Sequence, residues 1–208
     1  TLKIRYPFGT LLINEFMSAP NNDQSEFVEL IAFEDLEMID WGISDNHLEP
    51  VQLEPFSISN GDFILVLSDS NMIDLVDGDA HLTMPFNFPS LNNSADGIFL
   101  FDHTGSIIDS LHYDNDWPLT SERSTEKTRP SYTSNEPLNW SLADADVSMT
   151  PGAKNSIMIL DVDGMILQDA ITYLPTPPFP DSVVTILIPI VNAGIESFDG
   201  TFSIEMND

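Results

Sequence analysis

Residues 11–30, LLINEFMSAPNNDQSEFVEL, contain two apolar runs joined by a polar segment. The runs at 11–17 and 27–33 have the length of β-strands and are rich in aliphatic and aromatic residues. The segment 18–25, SAPNNDQS, combines proline with Asn, Asp and Ser, which is typical of a loop rather than a strand. The stretch therefore predicts two strands joined by a connecting loop.

Similar apolar runs recur along the whole chain and predict an all-β fold. No window sustains a helical period over three turns, although 70–76 is expected to form one short helical turn. Asp102 to Gly105 separates two of the runs and predicts a hairpin, in which Gly105 supplies the positive φ of a tight turn. The most economical architecture is one or more β-sandwiches. The other runs are 63–67, 98–101, 107–113 and 183–191.

The composition limits the classes of partner. The 208 residues are 42% apolar, which is enough for a packed core, and the formal charge is −28. An acidic surface repels phosphates, so we expect no nucleic acid partner, and no apolar run is long enough for direct insertion into a membrane. The absence of cysteine excludes disulfides and thiol chemistry.

A change of composition near Ser156 divides the chain. All six lysines and arginines lie before this residue, and the prolines of LPTPPFP, at 174–180, lie after it. We predict one domain at 10–156 and a second β region at 157–208, which is too short for a whole sandwich. The long apolar run 183–191 then has too few partner strands, so we expect it to form a homodimer or to dock on the first domain. We also expect the chain to be a mature or excised fragment, with any export signal outside it.

Glu15, Glu26 and Glu29 lie within or beside the first two runs and raise the question of catalysis. A strand places Glu29 on an apolar face, where a buried carboxylate needs donors. Arg123 is the expected partner, because a guanidinium donates two parallel hydrogen bonds to a carboxylate. Asn14 and Glu15 are expected to tie strand ends to the neighbouring backbone, so we interpret these residues as structural.

Two tryptophans are expected to anchor the core. Trp41 and Trp140 are both flanked by turn residues, and large aromatic residues in such positions usually lie at the ends of buried strands.

The sequence contains few candidate catalytic residues, and Ca²⁺ is the one metal ion that its acidic residues suggest. A glycosidase requires two carboxylates that face each other across a cleft, which a short sandwich does not obviously provide. The sequence also lacks the GxSxG elbow of serine hydrolases, the HExxH pattern of zinc proteases and the Walker spacing of phosphate-binding loops. We therefore expect no enzyme activity. Aspartates two residues apart are suitable for Ca²⁺, and Asp161 with Asp163, between the two domains, is the favoured pair. The other clusters are 74–79, 114–116 and 144–146.

An ordered series of motifs resembles the lamin tail domain, in the form found in exported bacterial proteins. It covers about residues 10–156, and each motif by itself is weak. The series departs from that form at Phe27, where tryptophan is frequent, and before Glu122, where a glycine–arginine pair is usual. In order, the motifs are INEFM (13–17), EFVEL (26–30), WGISD (41–45), FILVLSD (63–69), SLNNSADGIFLFD (90–102), GSIIDSLHYDNDWP (105–118), SER (121–123), NWSLA (139–143) and TPGAKNS (150–156).

This resemblance implies an immunoglobulin-like β-sandwich and a non-catalytic role. Residues 157–208 are similar, less specifically, to part of a cell-adhesion-related immunoglobulin-like module. Together they imply a binding, spacer or adhesion module of a larger exported bacterial protein, at the cell surface or outside the cell and accessory to a secreted hydrolase. Its partners would be other domains of that protein. The alternative is a metal-dependent hydrolase that uses the acidic loops to cleave phosphate or glycosidic bonds.

Overall fold

The computed structural model describes residues 5–21, 23–159, 164–166, 170–174 and 183–192. These residues are predominantly β, with two short 3₁₀ helices at Ser70–Leu75 and Pro137–Asn139. Among the described residues, no helix has the length and apolar character to cross a membrane. The chain divides into two compact units, Thr1–Met158 and Ile159–Asp208, at a boundary two residues beyond the predicted one.

The first unit contains a six-stranded sheet, a four-stranded sheet and one small strand pair. The larger sheet has the order β12-β11-β1-β2-β7-β8, and the smaller one has the order β10-β9-β4-β5. All neighbours are antiparallel except β7 and β8, which are parallel, and β3 pairs with β6. The strands are β1 Leu11–Met17, β2 Phe27–Ala32, β3 Leu36–Glu37, β4 Gly42–Ser44, β5 Val51–Gln52, β6 Ser57–Ile58, β7 Phe63–Leu67, β8 His81–Thr83, β9 Asp96–Phe101, β10 Ile107–Tyr113, β11 Thr125–Lys127 and β12 Trp140–Leu142.

The two larger sheets contribute side chains to one main core. Val28, Leu30 and Ala32 of β2 lie in this core together with Ile98 and Leu100 of β9. The alternate residues of the same strands point to the opposite faces, as the pleat requires. A second, smaller cluster on the other face of the six-stranded sheet contains Met17, Phe27, Leu65, Leu67 and Met72. That sheet is therefore covered on both faces.

The long strands and the hairpin agree with the sequence-based predictions. The bounds of β1, β7 and β10 are those of the predicted runs, and β1 pairs with β2 across the predicted loop. β9 and β10 form the predicted hairpin, with Gly105 at φ 76°. The predicted helical turn is the 3₁₀ helix at Ser70–Leu75, which Asp69 caps by accepting a hydrogen bond from Asn71 N.

The described part of the second unit consists of two antiparallel strand pairs. β13 (Gly164–Ile166) pairs with β16 (Ile190–Asn192), and β14 (Thr172–Leu174) pairs with β15 (Thr185–Leu187). The predicted single strand at 183–191 is wrong, because the run is divided before Ile190. Pro189 lacks a backbone N–H and cannot donate to a continuous ladder. Each part of the run has a partner strand within the chain, contrary to the expectation.

Candidate functional sites: a buried glutamate row and a surface cleft

Three glutamates lie side by side on the face of the six-stranded sheet that does not meet the main core. Glu15 on β1 pairs in register with Glu126 on β11 and with Glu29 on β2. Residues directly opposite on neighbouring strands share a face, so the three side chains form a line across the sheet. All three are 0% exposed. We call them the glutamate row.

The donors to this row come mainly from the segment that ends the first unit, residues 150–157, which we call the strap. Thr150 N donates to Glu15 Oε1 at 2.9 Å, and Gly152 N donates to Glu29 Oε2 at 2.6 Å. Ser156 Oγ donates to Glu126 Oε2 at 2.8 Å. All three glutamates therefore bind the strap, and the row holds this segment against the sheet.

A pair of buried asparagines completes the network. The pairing of β1 and β2 is irregular between Ile13 and Glu15, so that Asn14 lies beside the row. Asn14 Nδ2 donates to Glu29 Oε1 at 2.8 Å and to Asn155 Oδ1 at 2.7 Å. Asn155 Nδ2 in turn donates to the Lys127 carbonyl at 2.8 Å. Glu15 and Asn14 were expected to tie strand ends to neighbouring backbone; Glu15 accepts from the backbone N–H of Thr150 in the strap, and the Asn14 amide binds side chains.

The predicted pairing of Glu29 with Arg123 is wrong. The Arg123 guanidinium donates through Nε and Nη2 to the Ala143 carbonyl, and Glu29 accepts from Asn14 and Gly152. Within the described residues, the ion pairs closer than 4 Å are His47 with Asp45 and His81 with Asp62. Neutral N–H donors thus occupy both carboxylate oxygens of Glu29.

Burial changes the acid–base properties of Glu15 and Glu29. It raises the pKa of Glu15 to about 7, with a further contribution from the charge of Glu126. It also raises the pKa of Glu29 well above its usual range, with Glu15 adding to the shift. Groups with such shifts occur at catalytic sites. Here, however, the carboxyls have no exposed surface, and they contact the strap.

Glu26, the third glutamate of the opening stretch, does not belong to the row. It precedes β2, is half-buried, and accepts a hydrogen bond from Ser90 Oγ at 3.2 Å. Burial raises its pKa.

A buried aspartate and a buried lysine, Asp109 and Lys127, lie between the sheets. Asp109 Oδ2 accepts hydrogen bonds from Ile13 N, at 2.8 Å, and from Ser134 Oγ. Lys127 Nζ donates to the Tyr132 carbonyl at 2.8 Å. Burial lowers the pKa of Lys127 to about 8, and burial raises that of Asp109 although Lys127 opposes the shift. Asp109 thus binds the backbone of β1 and the Ser134 hydroxyl, and Lys127 binds a loop carbonyl, which is a structural role for both.

Both predicted core tryptophans are buried. Trp140 Nε1 donates to the Ser134 carbonyl at 2.8 Å, and its ring lies 5.5 Å from that of Phe16 and 5.8 Å from that of Trp117. Trp41 is fully buried and lies 5.3 Å from the ring of Tyr6, but its Nε1 is a buried donor that has no acceptor among the described residues.

A surface cleft lies where the turns before β4 and after β9 come together. It consists of two cavities, of about 240 and 270 Å³, which share Asp40 and His103. Asp40 has a left-handed backbone, with φ 60°, and its carboxylate accepts from Gln52 Nε2 at 3.1 Å. The described residues that line the two cavities include no lysine or arginine. The cleft therefore offers acceptors and aromatic rings, which suit a cationic group.

The predicted calcium ligands Asp161 and Asp163 lie outside the described residues. The other three acidic clusters are all described, and in two of them a carboxylate binds the backbone of its own turn. Asp114 Oδ1 accepts from Asp116 N at 3.0 Å, and Asp144 Oδ1 accepts from Asp146 N at 2.9 Å. Over the described ranges, no group of three or more acidic, histidine or cysteine residues has the arrangement of a metal site.

Sequence reasoning missed Glu126 and the role of the strap. Glu126 lies in a three-residue strand, TEK, that contains no apolar residue, so periodicity gave no signal. The alternation of Thr125, Glu126 and Lys127 would place Glu126 on the same face as Glu15 only once β1 is known to be the neighbouring strand. TPGAKNS is one of the motifs of the sequence, but its contacts with Glu15 and Glu29 join residues more than 120 positions apart in the chain.

Comparisons of this chain with protein-family models, with curated protein sequences and with solved structures found no match.

Proposed function

We propose that this chain is a non-catalytic binding module of a larger exported bacterial protein, and that its cleft takes a basic side chain of a partner segment. The partner belongs to another domain of the same protein or to its target. The first unit would have the immunoglobulin-like fold of the lamin tail type, followed by part of an adhesion-type module. Its place is the cell surface or the extracellular space, beside a secreted hydrolase.

The observation that carries this proposal is the use of the buried carboxylates. Glu15, Glu29 and Glu126 are all 0% exposed, and each binds the strap. A hydrolase needs carboxylates that reach a bound substrate. Because these three have no exposed surface, the proposal assigns them to the architecture and places binding elsewhere.

The cleft and the charge of the chain support a basic ligand. Glu37 and Asp40 line the cleft, and the rings of Tyr6 and His103 lie 5.6 Å apart along its wall. Carboxylates and aromatic rings together attract ammonium and guanidinium groups. The formal charge of −28 adds a long-range attraction for basic segments and accelerates their association.

The ordered motifs support the rest of the proposal. The series from INEFM to TPGAKNS resembles the bacterial lamin tail domain, and several of its motifs have structural roles here. INEFM and EFVEL supply two members of the glutamate row, and TPGAKNS forms most of the strap.

Titration with a short lysine- and arginine-rich peptide would test the binding role. We expect saturable binding at low salt, with NMR shifts at Asp40, Gln52 and His103. Asp40→Asn should weaken binding by up to about fivefold, since one partly exposed ion pair contributes up to ~1 kcal/mol. Asp116→Asn removes one exposed charge elsewhere and is the matched control. Equal weakening in both variants, or no binding, would contradict the cleft as the site.

The metal-dependent hydrolase is the alternative, and it makes a separate prediction. Phosphodiester and glycoside substrates should then be turned over in the presence of Ca²⁺ or Mg²⁺. The double substitution Asp161→Asn with Asp163→Asn should abolish that turnover. Turnover with this dependence would replace the binding proposal, and its absence together with peptide binding would support it.

A further inference from the structure

The strap makes one contact whose hydrogen bonds need an extra proton. Thr150 Oγ1 lies 3.0 Å from Glu15 Oε2 and 2.8 Å from Glu126 Oε1. A hydroxyl carries a single proton and donates to one acceptor. If both carboxyls were ionised, one of these two short contacts would join two oxygens without a hydrogen between them. A proton on either carboxyl completes the chain, because the protonated oxygen then donates to Thr150 Oγ1.

The opposite oxygen of Glu15 cannot carry this proton. Glu15 Oε1 accepts from Thr150 N, so it is an acceptor in the docked state. Glu126 Oε2 likewise accepts from Ser156 Oγ at 2.8 Å. Ser156 Oγ itself accepts from Asp144 N at 2.8 Å, which leaves its hydroxyl proton for Glu126. The remaining place is the bridge between Glu15 Oε2, Thr150 Oγ1 and Glu126 Oε1.

No cation in the described part of the chain forms an ion pair with the row. Glu29 on β2 adds a third carboxyl, and the strand β12 opposite Glu126 contributes Ser141. The loops packed against the strap contribute Asp77, whose N–H donates to the Pro151 carbonyl, and Asp144. Lys154 of the strap is exposed, Lys127 Nζ binds the Tyr132 carbonyl, and Arg123 binds the Ala143 carbonyl. Because no described lysine or arginine contacts the bridge, a proton is the positive charge that compensates its carboxylates.

We infer that the strap docks together with a proton shared by Glu15, Thr150 and Glu126, so that the strap is held below neutral pH and loosens above it. The device depends on three carboxyls from three strands that a single segment covers. Its effect falls on residues 150–157, and the second unit begins two residues later in the chain, at Ile159.

The acid–base shifts agree in sign with this arrangement. Burial raises the pKa of Glu15 from 4.5 to about 7, and raises that of Glu29 in the same direction. The folded state then binds more protons than the unfolded state between pH 4.5 and about 7. Stability is consequently highest at the acidic end of that window and falls as the pH rises through it. This direction is opposite to that of an ordinary carboxylate held by a cation.

The test uses the whole 208-residue chain between pH 5 and pH 8, with two readouts. The Tm should fall by on the order of 5 °C across this range, because each kcal/mol shifts the Tm of a domain of this size by about 2–4 °C. Hydrogen exchange of the strap amides, corrected for the intrinsic effect of pH, should accelerate over the same range. The amides of β7 should stay protected as an internal reference.

Glu15→Gln is the decisive variant. Its amide nitrogen donates to Thr150 Oγ1 in place of the shared proton, and its oxygen still accepts from Thr150 N, so the Tm should become much less dependent on pH. Glu54→Gln, at an exposed position, changes the net charge equally and should keep the wild-type dependence. Glu126→Gln provides the same test from the other side of the bridge. A wild-type Tm and strap exchange that do not change between pH 5 and pH 8 would overturn the inference. Wild-type pH dependence in both glutamine variants of the bridge would overturn it as well.

Discussion

Glu29 has no exposed surface, and its described donors are the amide groups of Asn14 and Gly152. A charge in such a place is costly unless hydrogen bonds or a proton compensate it. Here the first compensation comes from two N–H donors, and the second comes from the raised pKa of the carboxyl. The residue is thus tolerated without the cation that its sequence context suggested.

A double-mutant cycle on Glu29→Gln and Arg123→Ala measures the coupling between these two residues. The two share no hydrogen-bond partner, so we expect their effects on the free energy of unfolding to add within about 0.5 kcal/mol. Arg123→Ala alone should destabilise, since the Ala143 carbonyl loses its charged donor. A coupling energy above about 1 kcal/mol would restore the pairing that was expected from the sequence.

Trp140→Ala should be among the most destabilising single substitutions. The ring is 5% exposed, packs against Phe16 and Trp117, and donates to the Ser134 carbonyl. Removal of a buried tryptophan costs about 3 to 5 kcal/mol. Leu138→Ala, two residues earlier and 92% exposed, should change the free energy of unfolding by less than about 0.5 kcal/mol. Equal unfolding midpoints in urea for the two variants would contradict this assignment.

At the scale of elements, the strap functions as a cover for the outer face of the six-stranded sheet. Met149, just before it, packs against the smaller apolar cluster, while the strap itself binds the glutamate row. The Pro151 carbonyl also accepts from Asp77 N at 2.8 Å, which joins the strap to the loop after the first 3₁₀ helix. Apolar packing and hydrogen bonding therefore cover adjoining parts of one face.

Gly152→Ala tests how closely the strap must approach that loop. Gly152 has φ 86°, and an added Cβ would lie 2.9 Å from Val76 Cγ1 and far inside contact with the Asp77 carbonyl oxygen. We expect a loss of on the order of 2 kcal/mol or more, from strain and steric overlap together.

Gly105→Ala is the matched control for this prediction. It has φ 76°, but open space surrounds the position of its Cβ, so only the backbone strain of about 1 kcal/mol is expected. Losses of similar size in the two variants, measured by chemical denaturation, would mean that the close approach of the strap does not matter.

At the scale of the whole molecule, 34 acidic and 6 basic residues leave a large uncompensated charge. Self-repulsion of this kind destabilises the compact state, and salt screens it over a Debye length of about 10 Å at 0.1 M. We expect the Tm to rise by about 3 °C or more between 20 mM and 500 mM NaCl at pH 7. A Tm that stays constant or falls over this range, followed by circular dichroism, would contradict the prediction.

The second unit leads to a prediction about association. Val183, Val184, Ile186 and Leu187 are all exposed, and β15 pairs with β14 alone among the described residues. Exposed apolar strands of this kind pair with other chains. Light scattering should therefore give a dimer mass for residues 1–208 and a monomer mass for residues 1–158. Monomers in both cases, with equal stability, would exclude a role of this run in association.

The sequence by itself determined the all-β class and the elements with strong local patterns. β1, β7 and β10 were predicted with their observed bounds because each is an apolar run bounded by polar or turn residues. The hairpin turn and the short helix followed from Gly105 and from the segment 70–76, whose signals are also local. The burial of Trp41 and Trp140 followed from their size.

The tertiary structure alone decided which polar groups meet. Strands of two or three residues, such as β4 and β11, carry no measurable periodicity, and their pairing depends on neighbours distant in the chain. The register of β1 with β2 and β11 places three glutamates in one line, and the strap binds two of them, Glu15 and Glu29, across more than 120 residues of chain. Charge alone made Arg123 a reasonable partner for Glu29, yet in the folded chain its guanidinium donates to the Ala143 carbonyl. Charge and hydropathy are properties of single residues, whereas hydrogen bonding depends on position within a few tenths of an ångström, which only the folded chain establishes.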